Sequence, residues 1–183
     1  MTRILKDDIL EVLLSEEQLK NRVEEIGKAI TADYAGEEVI FVGVLKGCYV
    51  FMADLLRTVD LYCDMDFMAV SSYGNGTSTT GAVKINMDLT KNIEGKHVII
   101  VEDILDSGVT LSYLKSYLEN RKPASIKIVT LLDKPERRKA DIKPDYYGFT
   151  VPDAFVVGYG LDYAERYRNL PYIGILKPEV YEN

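Results

Sequence analysis

The feature that most constrains the fold of this chain is an alternation of short apolar runs with helical patterns. Val39–Val44 and His97–Val101 are continuous apolar runs of strand length, typical of strands buried on both faces of a sheet. A further strand is predicted over Ser125–Leu132, and leucines at helical spacing between 111 and 118 predict a helix before it. Strands that alternate with helices form βαβ units. The sequence therefore predicts an α/β fold with a Rossmann-like, mostly parallel sheet flanked by helices.

The remaining elements are predicted from local signals. Ser15 and Gln18 fit a capping box that begins a helix. The other predictions are a helix over 48–57, an alternating strand over 61–70, a strand over 83–88 and a fifth strand over 155–159. The C-terminal segment beyond them gives no firm assignment.

Length and charge limit the possible functions. The chain has 183 residues, enough for a core of its own, and we expect residues 1–183 to form a single domain. Lys and Arg number 22 and Asp and Glu number 29, which gives a net charge of −7. An acidic chain is a poor candidate for nucleic-acid binding, because that binding relies on Lys and Arg at the phosphates. We therefore expect no nucleic-acid partner.

Cysteine usage and hydropathy predict a cytoplasmic protein. Cys48 and Cys63 are too few for a disulfide framework and are expected to be reduced thiols. No secretory signal is visible at the N-terminus, and no apolar stretch reaches the roughly 20 residues that span a membrane. The single histidine, His97, is expected to be structural. Acid–base or metal chemistry must therefore come mostly from Asp, Glu, Lys or Tyr.

The segment over 98–111 carries the most chemical information. It consists of a buried strand, an acidic pair, the loop Asp-Ser-Gly-Val-Thr over 106–110, and a helix. Ligands of open parallel sheets bind beyond the carboxyl ends of the strands. At that position the helix N-terminus and the hydroxyls of Ser107 and Thr110 would form an anion cradle, which the backbone at Gly108 can approach closely.

The acidic pair Glu102 and Asp103 suggests a sugar site. On an ideal strand the two side chains point to opposite faces, so they are weak as a direct two-carboxylate chelate. They suit a vicinal diol or a water-clad Mg²⁺ better. A phosphate cradle beside diol acceptors predicts a site for ribose 5-phosphate. The alternative is that the acids form a solvated strand end and that Ser107 only caps the helix.

The complete pattern resembles a known motif. Four aliphatic residues, two acids, two aliphatic residues and Asp-Ser-Gly-x-Thr closely resemble the phosphoribosyl-pyrophosphate motif of type I phosphoribosyltransferases. Further segments resemble the members that use hypoxanthine or guanine, namely Val44–Gly47, Ser72-Tyr73, Leu131–Lys134 and Pro152–Tyr163. Two mild departures are Cys48, where a smaller residue is common, and Asp133, at a variable position.

This resemblance implies an activity in purine salvage. The 5-phosphoribosyl group would pass from phosphoribosyl pyrophosphate to hypoxanthine or guanine, giving IMP or GMP and pyrophosphate, with Mg²⁺ as cofactor. It also implies a small hood, built from N- and C-terminal segments, over the site. A relative that prefers xanthine or adenine is one alternative. Another is a regulatory protein that keeps the fold but binds RNA or DNA.

The resemblance assigns roles on the sugar-phosphate side. Glu102 and Asp103 would hold the ribose hydroxyls and Mg²⁺. Asp106 would accept a proton near N7 of the purine. The 5′-phosphate would bind to the loop residues Asp106, Ser107, Gly108, Val109 and Thr110.

On the pyrophosphate side, Lys46, Gly47 and Arg168 match the family's binding residues. The resemblance also implies a non-proline cis peptide bond at this turn. Asp162 matches a second Mg²⁺ ligand and lies in the purine-binding segment. Without the resemblance, Lys46 would be interpreted as an ordinary surface lysine after a strand.

On the purine side, the resemblance implies that Lys134 donates to O6 and that Phe155 stacks on the base. The backbone of Val156 would accept from the purine. Adenine carries an amino donor where Lys134 also donates, so it is expected to be a very poor substrate. The alternatives are that Lys134 belongs to a solvated charged loop and that Phe155 belongs to the core.

The polar loop over 71–82 has no apolar period and is predicted to be a flexible lid that brings Ser72 and Tyr73 over the site. Simple disorder is the alternative. The family forms dimers or tetramers, and the 13 tyrosines are compatible with an aromatic subunit interface, so a homodimer or homotetramer is expected.

Overall fold

A computed structural model describes residues 4–72 and 83–182. After a 3-10 helix over Leu5–Asp8, the strands are β1 (Ile9–Leu14), β2 (Val39–Leu45), β3 (Cys63–Ser72), β4 (Val83–Met87), β5 (His97–Leu105), β6 (Ser125–Asp133), β7 (Tyr146–Thr150), β8 (Val156–Val157) and β9 (Ile173–Leu176). The α-helices are α1 (Glu16–Asp33), α2 (Tyr49–Leu56), α3 (Val109–Glu119) and α4 (Pro178–Tyr181), and a second 3-10 helix covers Pro135–Arg137.

The main sheet has six strands in the order β4-β3-β2-β5-β6-β7. All neighbours are parallel except β4, which runs antiparallel to β3 at the edge. Alternate residues of β2 and β5 enter two different apolar clusters, one with α1 and α2 and the other with α3. The prediction of a mostly parallel sheet between helices is therefore confirmed.

The predicted capping box at the start of α1 is present. The Ser15 hydroxyl accepts from the Gln18 backbone N–H at 3.2 Å, and the Gln18 side chain accepts from the Ser15 N–H at 2.9 Å. The apolar face of the helix is buried in the cluster that also covers the sheet, through Leu19, Val23, Ile26 and Ile30.

The prediction of a fifth strand over 155–159 is wrong in extent and in place. Only Val156 and Val157 are extended, and they pair with β9 in a second, antiparallel sheet of order β1-β9-β8. Positive φ values at Gly158 and Tyr159, 100° and 51°, turn the chain away and end the strand. The fifth parallel strand of the main sheet is β7, which the sequence analysis missed.

The third strand also differs from its prediction. It begins at Cys63 and ends at Ser72, and the proposed alternation does not describe its burial, since Met65 is exposed and Met68 is fully buried. β4 pairs only with Ala69–Ser72, so the first half of β3 is a free edge where side chains meet solvent on both faces.

The amino ends of the strands hold the single histidine. His97 Nδ1 lies 2.8 Å from the Ser125 hydroxyl, and its ring packs edge-on against Tyr34. This position is at the end of β5 opposite to the acidic pair, in agreement with a structural role. Cys48 and Cys63 are both unpaired. Within residues 4–72 and 83–182, no helix is long and apolar enough to cross a membrane.

Candidate active site

A cavity of about 310 Å³ opens beyond the carboxyl ends of β2 and β5. It brings together ten of the residues singled out in the sequence, namely Lys46, Gly47, Glu102, Asp103, Asp106, Ser107, Gly108, Thr110, Asp162 and Arg168. Of the other predicted site residues, Val109 begins α3, whereas Lys134, Phe155 and Val156 are not in the lining of this cavity. Ser72 ends β3, and Tyr73 with the rest of the predicted lid, 73–82, lies outside the described residues.

The expectation that the two adjacent acids point apart is wrong. Glu102 and Asp103 both lie within β5, and both line the cavity. The pairing of β5 with β2 ends at Val101, so the strand has an open edge beyond that residue. The Asp103 carboxylate turns back there and accepts from the N–H of Ile104 at 2.8 Å. The open edge therefore allows two neighbouring carboxyl groups to reach one space.

Burial raises the pKa of both acids, and the charge of Asp103 adds to this effect at Glu102. Burial is the larger cause for Glu102, followed by the charge of Asp103, and its pKa is raised well above the usual value. Burial also raises the pKa of Asp103, against hydrogen bonds and the charge of Arg168 that lower it. Two enclosed carboxyl groups of like charge favour a bound cation, and oxygen donors are those that Mg²⁺ prefers.

The third predicted metal ligand is held elsewhere in the cavity. Asp162 pairs with Arg168 at 2.9 Å and accepts from the N–H of Glu165 at 2.9 Å. In the described part of the chain, no three His, Cys, Asp or Glu side chains form a cluster of metal-binding type. Glu102 and Asp103 therefore fit Mg²⁺ as a pair, with its remaining positions left to water or substrate.

The turn after β2 lies directly against the acidic pair. The Leu45–Lys46 peptide bond is cis, as the resemblance implies. A Cβ atom at Gly47 would lie 1.6 Å from Asp103 Oδ2, so only glycine permits this approach. The turn thereby brings backbone groups and the Lys46 side chain to the same cavity as the carboxylates.

The loop over 106–110 ends in an open helix N-terminus. Gly108 is the N-cap of α3 with φ of 77°, and no side chain makes a capping hydrogen bond. The Ser107 hydroxyl lies 3.5 Å from the N–H of Val109, which is too long for a good hydrogen bond. The alternative role of Ser107 as a helix cap is therefore not supported by the geometry. The first turn can offer N–H groups to an anion.

Arg138 anchors this loop and was missed in the sequence. Its guanidinium donates to the carbonyl of Asp106 at 2.9 Å, to that of Leu105 at 3.3 Å and to that of Ile142 at 2.5 Å. It also pairs with the Asp133 carboxylate, and both side chains are 14% exposed. Asp133, which departs from the family pattern, is thus the counter-ion of a largely buried arginine that holds the end of β5.

Asp106 lines the cavity, and its carboxylate lies within ion-pair distance of one arginine. Its Oδ1 atom is buried and has no hydrogen-bond partner among the described residues. The nearest cation is Arg137, whose Nε lies 3.4 Å away and whose Nη1 lies 3.4 Å from Asp153. Arg138 holds the backbone of Asp106 and thereby positions its side chain at the cavity.

Lys134 is not part of a solvated loop. It is 6% exposed, its Nζ donates to the carbonyl of Ala154 at 2.6 Å, and Asp153 lies 3.9 Å away. Burial lowers the pKa of Lys134, whereas the charges of Asp106 and Asp153 oppose that change. A buried ammonium with donor capacity left suits recognition of a carbonyl oxygen.

Phe155 is not a core residue. It is 38% exposed, and its ring stacks on Tyr181 at 4.9 Å and meets Tyr163 edge-on at 5.5 Å. Val156 follows in β8 and is buried. The Phe155 ring is therefore supported by two aromatic neighbours, which fix its plane, while part of it stays open to a ligand.

The cations of the predicted pyrophosphate side lie around one acidic side chain. Lys46 Nζ contacts Glu165 at 2.9 Å, and Arg168 Nη2 contacts the same carboxylate at 3.3 Å. Arg168 Nη1 donates to the carbonyl of Gly160 at 2.8 Å. Glu165 carries no sequence signal of its own, because its partners come from a turn 119 residues away as well as from its own loop.

Comparison with known proteins identifies the family. A family model described as "Phosphoribosyl transferase domain" matches residues 11–164. The hypoxanthine-guanine phosphoribosyltransferase of Bacillus subtilis is 60% identical over 180 residues, which cover 98% of this chain and 100% of that protein. The Staphylococcus aureus protein of the same name is 55% identical over 179 residues, or 98% of this chain and 100% of its own length.

A solved structure agrees with these relatives. The crystal structure of a hypoxanthine phosphoribosyltransferase from Staphylococcus aureus superposes with a TM-score of 0.96 at 54% identity and covers all of both chains. The loop over 106–110 and the turn at Lys46, which both line the cavity, belong to the motifs quoted from the sequence. The chain belongs to the phosphoribosyltransferase family, in its hypoxanthine-guanine branch.

Proposed function

We propose that this chain transfers the 5-phosphoribosyl group from phosphoribosyl pyrophosphate to hypoxanthine or guanine, giving IMP or GMP and pyrophosphate. One observation carries this proposal. A single cavity combines a carboxylate pair, an open helix N-terminus and a lysine–arginine pair. These three features correspond in chemistry to the ribose diol, the 5′-phosphate and the pyrophosphate of one substrate.

In this proposal the sugar-phosphate lies along the carboxyl end of β5. The 5′-phosphate binds to the N–H groups and hydroxyls of residues 106–110, and Glu102 and Asp103 accept from the ribose hydroxyls. Lys46, the backbone at Gly47 and Arg168 bind the pyrophosphate. The Glu102–Asp103 pair would hold Mg²⁺, and the ion would neutralise charge on the leaving group. Asp162 would join its ligands only if that side chain leaves Arg168.

The purine is activated by a proton transfer. The Asp106 carboxylate accepts the N7 proton as the new bond between purine and sugar forms and the bond between sugar and pyrophosphate breaks. Lys134 donates to O6, Phe155 stacks on the ring, and the backbone at Val156 accepts from the edge of the base. Ser72 and Tyr73 belong to a lid that excludes water from the activated sugar.

The activity test uses each purine separately. Protein, MgCl₂ and phosphoribosyl pyrophosphate are mixed with hypoxanthine, guanine, xanthine or adenine, and nucleotide and pyrophosphate are measured. We expect products from hypoxanthine and guanine and almost none from adenine, because two donors would face each other at Lys134. Preference for xanthine or adenine would reassign the base, and no product with any purine would contradict the proposal.

Asp106→Asn tests the assigned base. Asn has the same shape but cannot accept the proton, so we expect kcat to fall about 100- to 1,000-fold with little change in substrate affinity. Asp141→Asn, at an exposed aspartate, is the matched control. A normal kcat in Asp106→Asn would remove this residue from the mechanism.

We also infer a cytoplasmic setting and a homodimer or homotetramer. The two unpaired cysteines support a reducing compartment, and exposed aromatic side chains such as Tyr49 and Tyr113 support a subunit interface. Light scattering on the purified protein tests the oligomer, and a monomer at micromolar concentration would contradict it.

A further inference from the structure

We propose that Glu165 is an internal counter-anion that occupies part of the pyrophosphate subsite and is displaced when pyrophosphate binds. This inference rests on the proposed function, because it takes Lys46 and Arg168 as the cations that meet pyrophosphate. It adds a residue whose role is to oppose binding and so to help release the product.

The geometry places one carboxylate on both cations. Glu165 Oε2 lies 2.9 Å from Lys46 Nζ, and its Oε1 lies 3.3 Å from Arg168 Nη2. Lys46 belongs to the turn after β2 and Arg168 to the loop before β9, so the carboxylate bridges two separate walls of the cavity. A bound pyrophosphate would need the same two partners.

The carboxylate leaves part of the subsite unfilled. Arg168 Nε is buried and has no hydrogen-bond partner within the described residues. A buried guanidinium N–H without an acceptor is unfavourable, and such groups are rare in folded proteins. Glu165 reaches only Nη2 of this guanidinium and leaves Nε without an acceptor, which an anion with more oxygens would supply. The pyrophosphate subsite therefore offers more hydrogen-bond donors than the Glu165 carboxylate uses.

The contacts of Glu165 are easily exchanged. Its side chain is 64% exposed and that of Lys46 is 67% exposed, and exposed ion pairs are weak. Arg168 does not depend on Glu165 for its position, because Gly160 and Asp162 hold the same guanidinium at 2.8 and 2.9 Å. Displacing Glu165 therefore frees both cations without removing what positions the arginine.

A resident carboxylate has two consequences for the reaction. Entry of a pyrophosphate group must break the two ion pairs, which weakens binding. After transfer, the return of Glu165 to Lys46 and Arg168 competes with the departing pyrophosphate and favours its release. Purine binding is not affected, because Lys134 and Phe155 have no contact with Glu165 among those described.

The test is direct binding of pyrophosphate by titration calorimetry, with MgCl₂ present and no turnover. In Glu165→Gln one negative charge beside a multiply charged anion is removed, so we expect about three- to tenfold tighter binding. The gain should shrink when KCl is raised from about 50 to about 500 mM. Glu17→Gln, at an exposed glutamate of α1, is the matched control and should bind as the wild type does.

Each other outcome overturns the inference. Weaker binding in Glu165→Gln would mean that Glu165 positions the cations, and equal binding would mean that it does not compete with pyrophosphate. Glu165 has a φ of 63°, a conformation that Asn adopts readily, so Glu165→Asn is a second variant if the first is unstable. If the wild type forms IMP normally while neither variant binds pyrophosphate more tightly, the inference fails and the proposed function stands.

Discussion

The two anion-binding sides of the cavity are built in opposite ways. On the phosphate side, the loop after β5 is held by Arg138, a guanidinium that is 14% exposed and bonds to three backbone carbonyls. On the pyrophosphate side, Lys46 and Glu165 meet through side chains that are about two-thirds exposed. The first side is fixed by main-chain contacts, whereas the second combines the largely buried Arg168 with the exchangeable ion pairs that Glu165 makes.

This difference corresponds to what happens to the 5′-phosphate and to the pyrophosphate during the reaction. In the proposed reaction the 5′-phosphate stays on the sugar from substrate to product, so its site gains from rigidity. The pyrophosphate must arrive with one molecule and leave alone, so its site gains from contacts that form and break easily. The physical basis of this division is the low exposure of Arg138 and Asp133 on the first side and the high exposure of Lys46 and Glu165 on the second.

Replacing the buried anchor should have the largest effect. Arg138→Met leaves the partly buried Asp133 carboxylate without its partner and removes one donor from each of three carbonyls. Among the described residues, only the Leu105 carbonyl keeps another donor, the Lys134 N–H at 2.9 Å. We expect a loss of about 3–4 kcal/mol in the free energy of unfolding, measured by urea denaturation. In the folded fraction, kcat/KM for phosphoribosyl pyrophosphate should fall at least about tenfold, because the loop over 106–110 is no longer held.

The adjacent arginine provides the matched control for this prediction. Arg137 is 52% exposed and makes only ion pairs at 3.4 Å, so Arg137→Met should cost less than about 1 kcal/mol in stability. The double variant Arg138→Met/Asp133→Asn should recover part of the loss by removing the unpaired charge. Equal destabilisation by the two single variants would break the contrast between a fixed and an exchangeable side.

The second prediction tests whether the buried Lys134 takes part in binding the purine. Lys134→Met keeps the apolar stem of this buried side chain but removes the donor. We expect kcat/KM for guanine to fall about 10- to 100-fold, and the preference for hypoxanthine over adenine to narrow. Initial rates with each purine measure this, and Lys139→Met, at an exposed lysine, is the control. Unchanged guanine kinetics would remove Lys134 from purine recognition.

A third prediction concerns the acidic pair between the two sides. The pKa of Glu102 is raised in the folded protein, first by burial and then by Asp103. Its protonated form therefore contributes stability below the unfolded pKa of about 4.3, and this contribution is lost as pH rises through the higher folded pKa. The Gln side chain in Glu102→Gln stays uncharged at every pH and keeps this contribution. The variant should therefore become more stable than the wild type as pH increases.

Thermal unfolding without Mg²⁺ between about pH 5 and pH 8 measures this difference. We expect the advantage of Glu102→Gln over the wild type to be larger at the upper end than at the lower end, with reduced activity throughout. Glu17→Gln should show no such trend. An advantage that is independent of pH would mean that the raised pKa of Glu102 is not its cause.

The parts of the site that the sequence predicted are those encoded in continuous segments. The buried runs of β2 and β5, the capping box of α1 and the loop over 106–110 depend on neighbours within a few residues. The α/β class and the phosphate cradle followed from them. The short strand β7 was missed because its mixed polar and apolar residues gain their extended form from pairing with β6.

The parts that were missed depend on distant contacts. Arg138 looked like one of several charges in a loop, and its role appears only when the carbonyls of Leu105, Asp106 and Ile142 converge on it. The shared direction of Glu102 and Asp103 depends on where β2 stops pairing, which no local pattern contains. Residue spacing therefore predicts the groups that touch ligands better than the groups that hold them in place.

The smallest effect is expected at Tyr159, whose neighbour Gly160 packs against the turn at Lys46 and Gly47. Tyr159 donates to Asp54 at 2.6 Å, and a Cβ atom at the following Gly160 would lie 2.2 Å from the Gly47 carbonyl. Tyr159→Phe removes one hydrogen bond, but Asp54 keeps Arg57 within 3.8 Å, so we expect a cost of about 1 kcal/mol or less. KM for phosphoribosyl pyrophosphate should rise only about two- to threefold, because a turn that binds through exchangeable contacts tolerates a small shift. KM for hypoxanthine should stay unchanged. Tyr146→Phe, which removes a comparable 2.6 Å bond from β7 to Asp33, should affect stability but not KM. A tenfold loss of affinity in Tyr159→Phe would show that the pyrophosphate side is as firmly held as the phosphate side, and the contrast between them would fail.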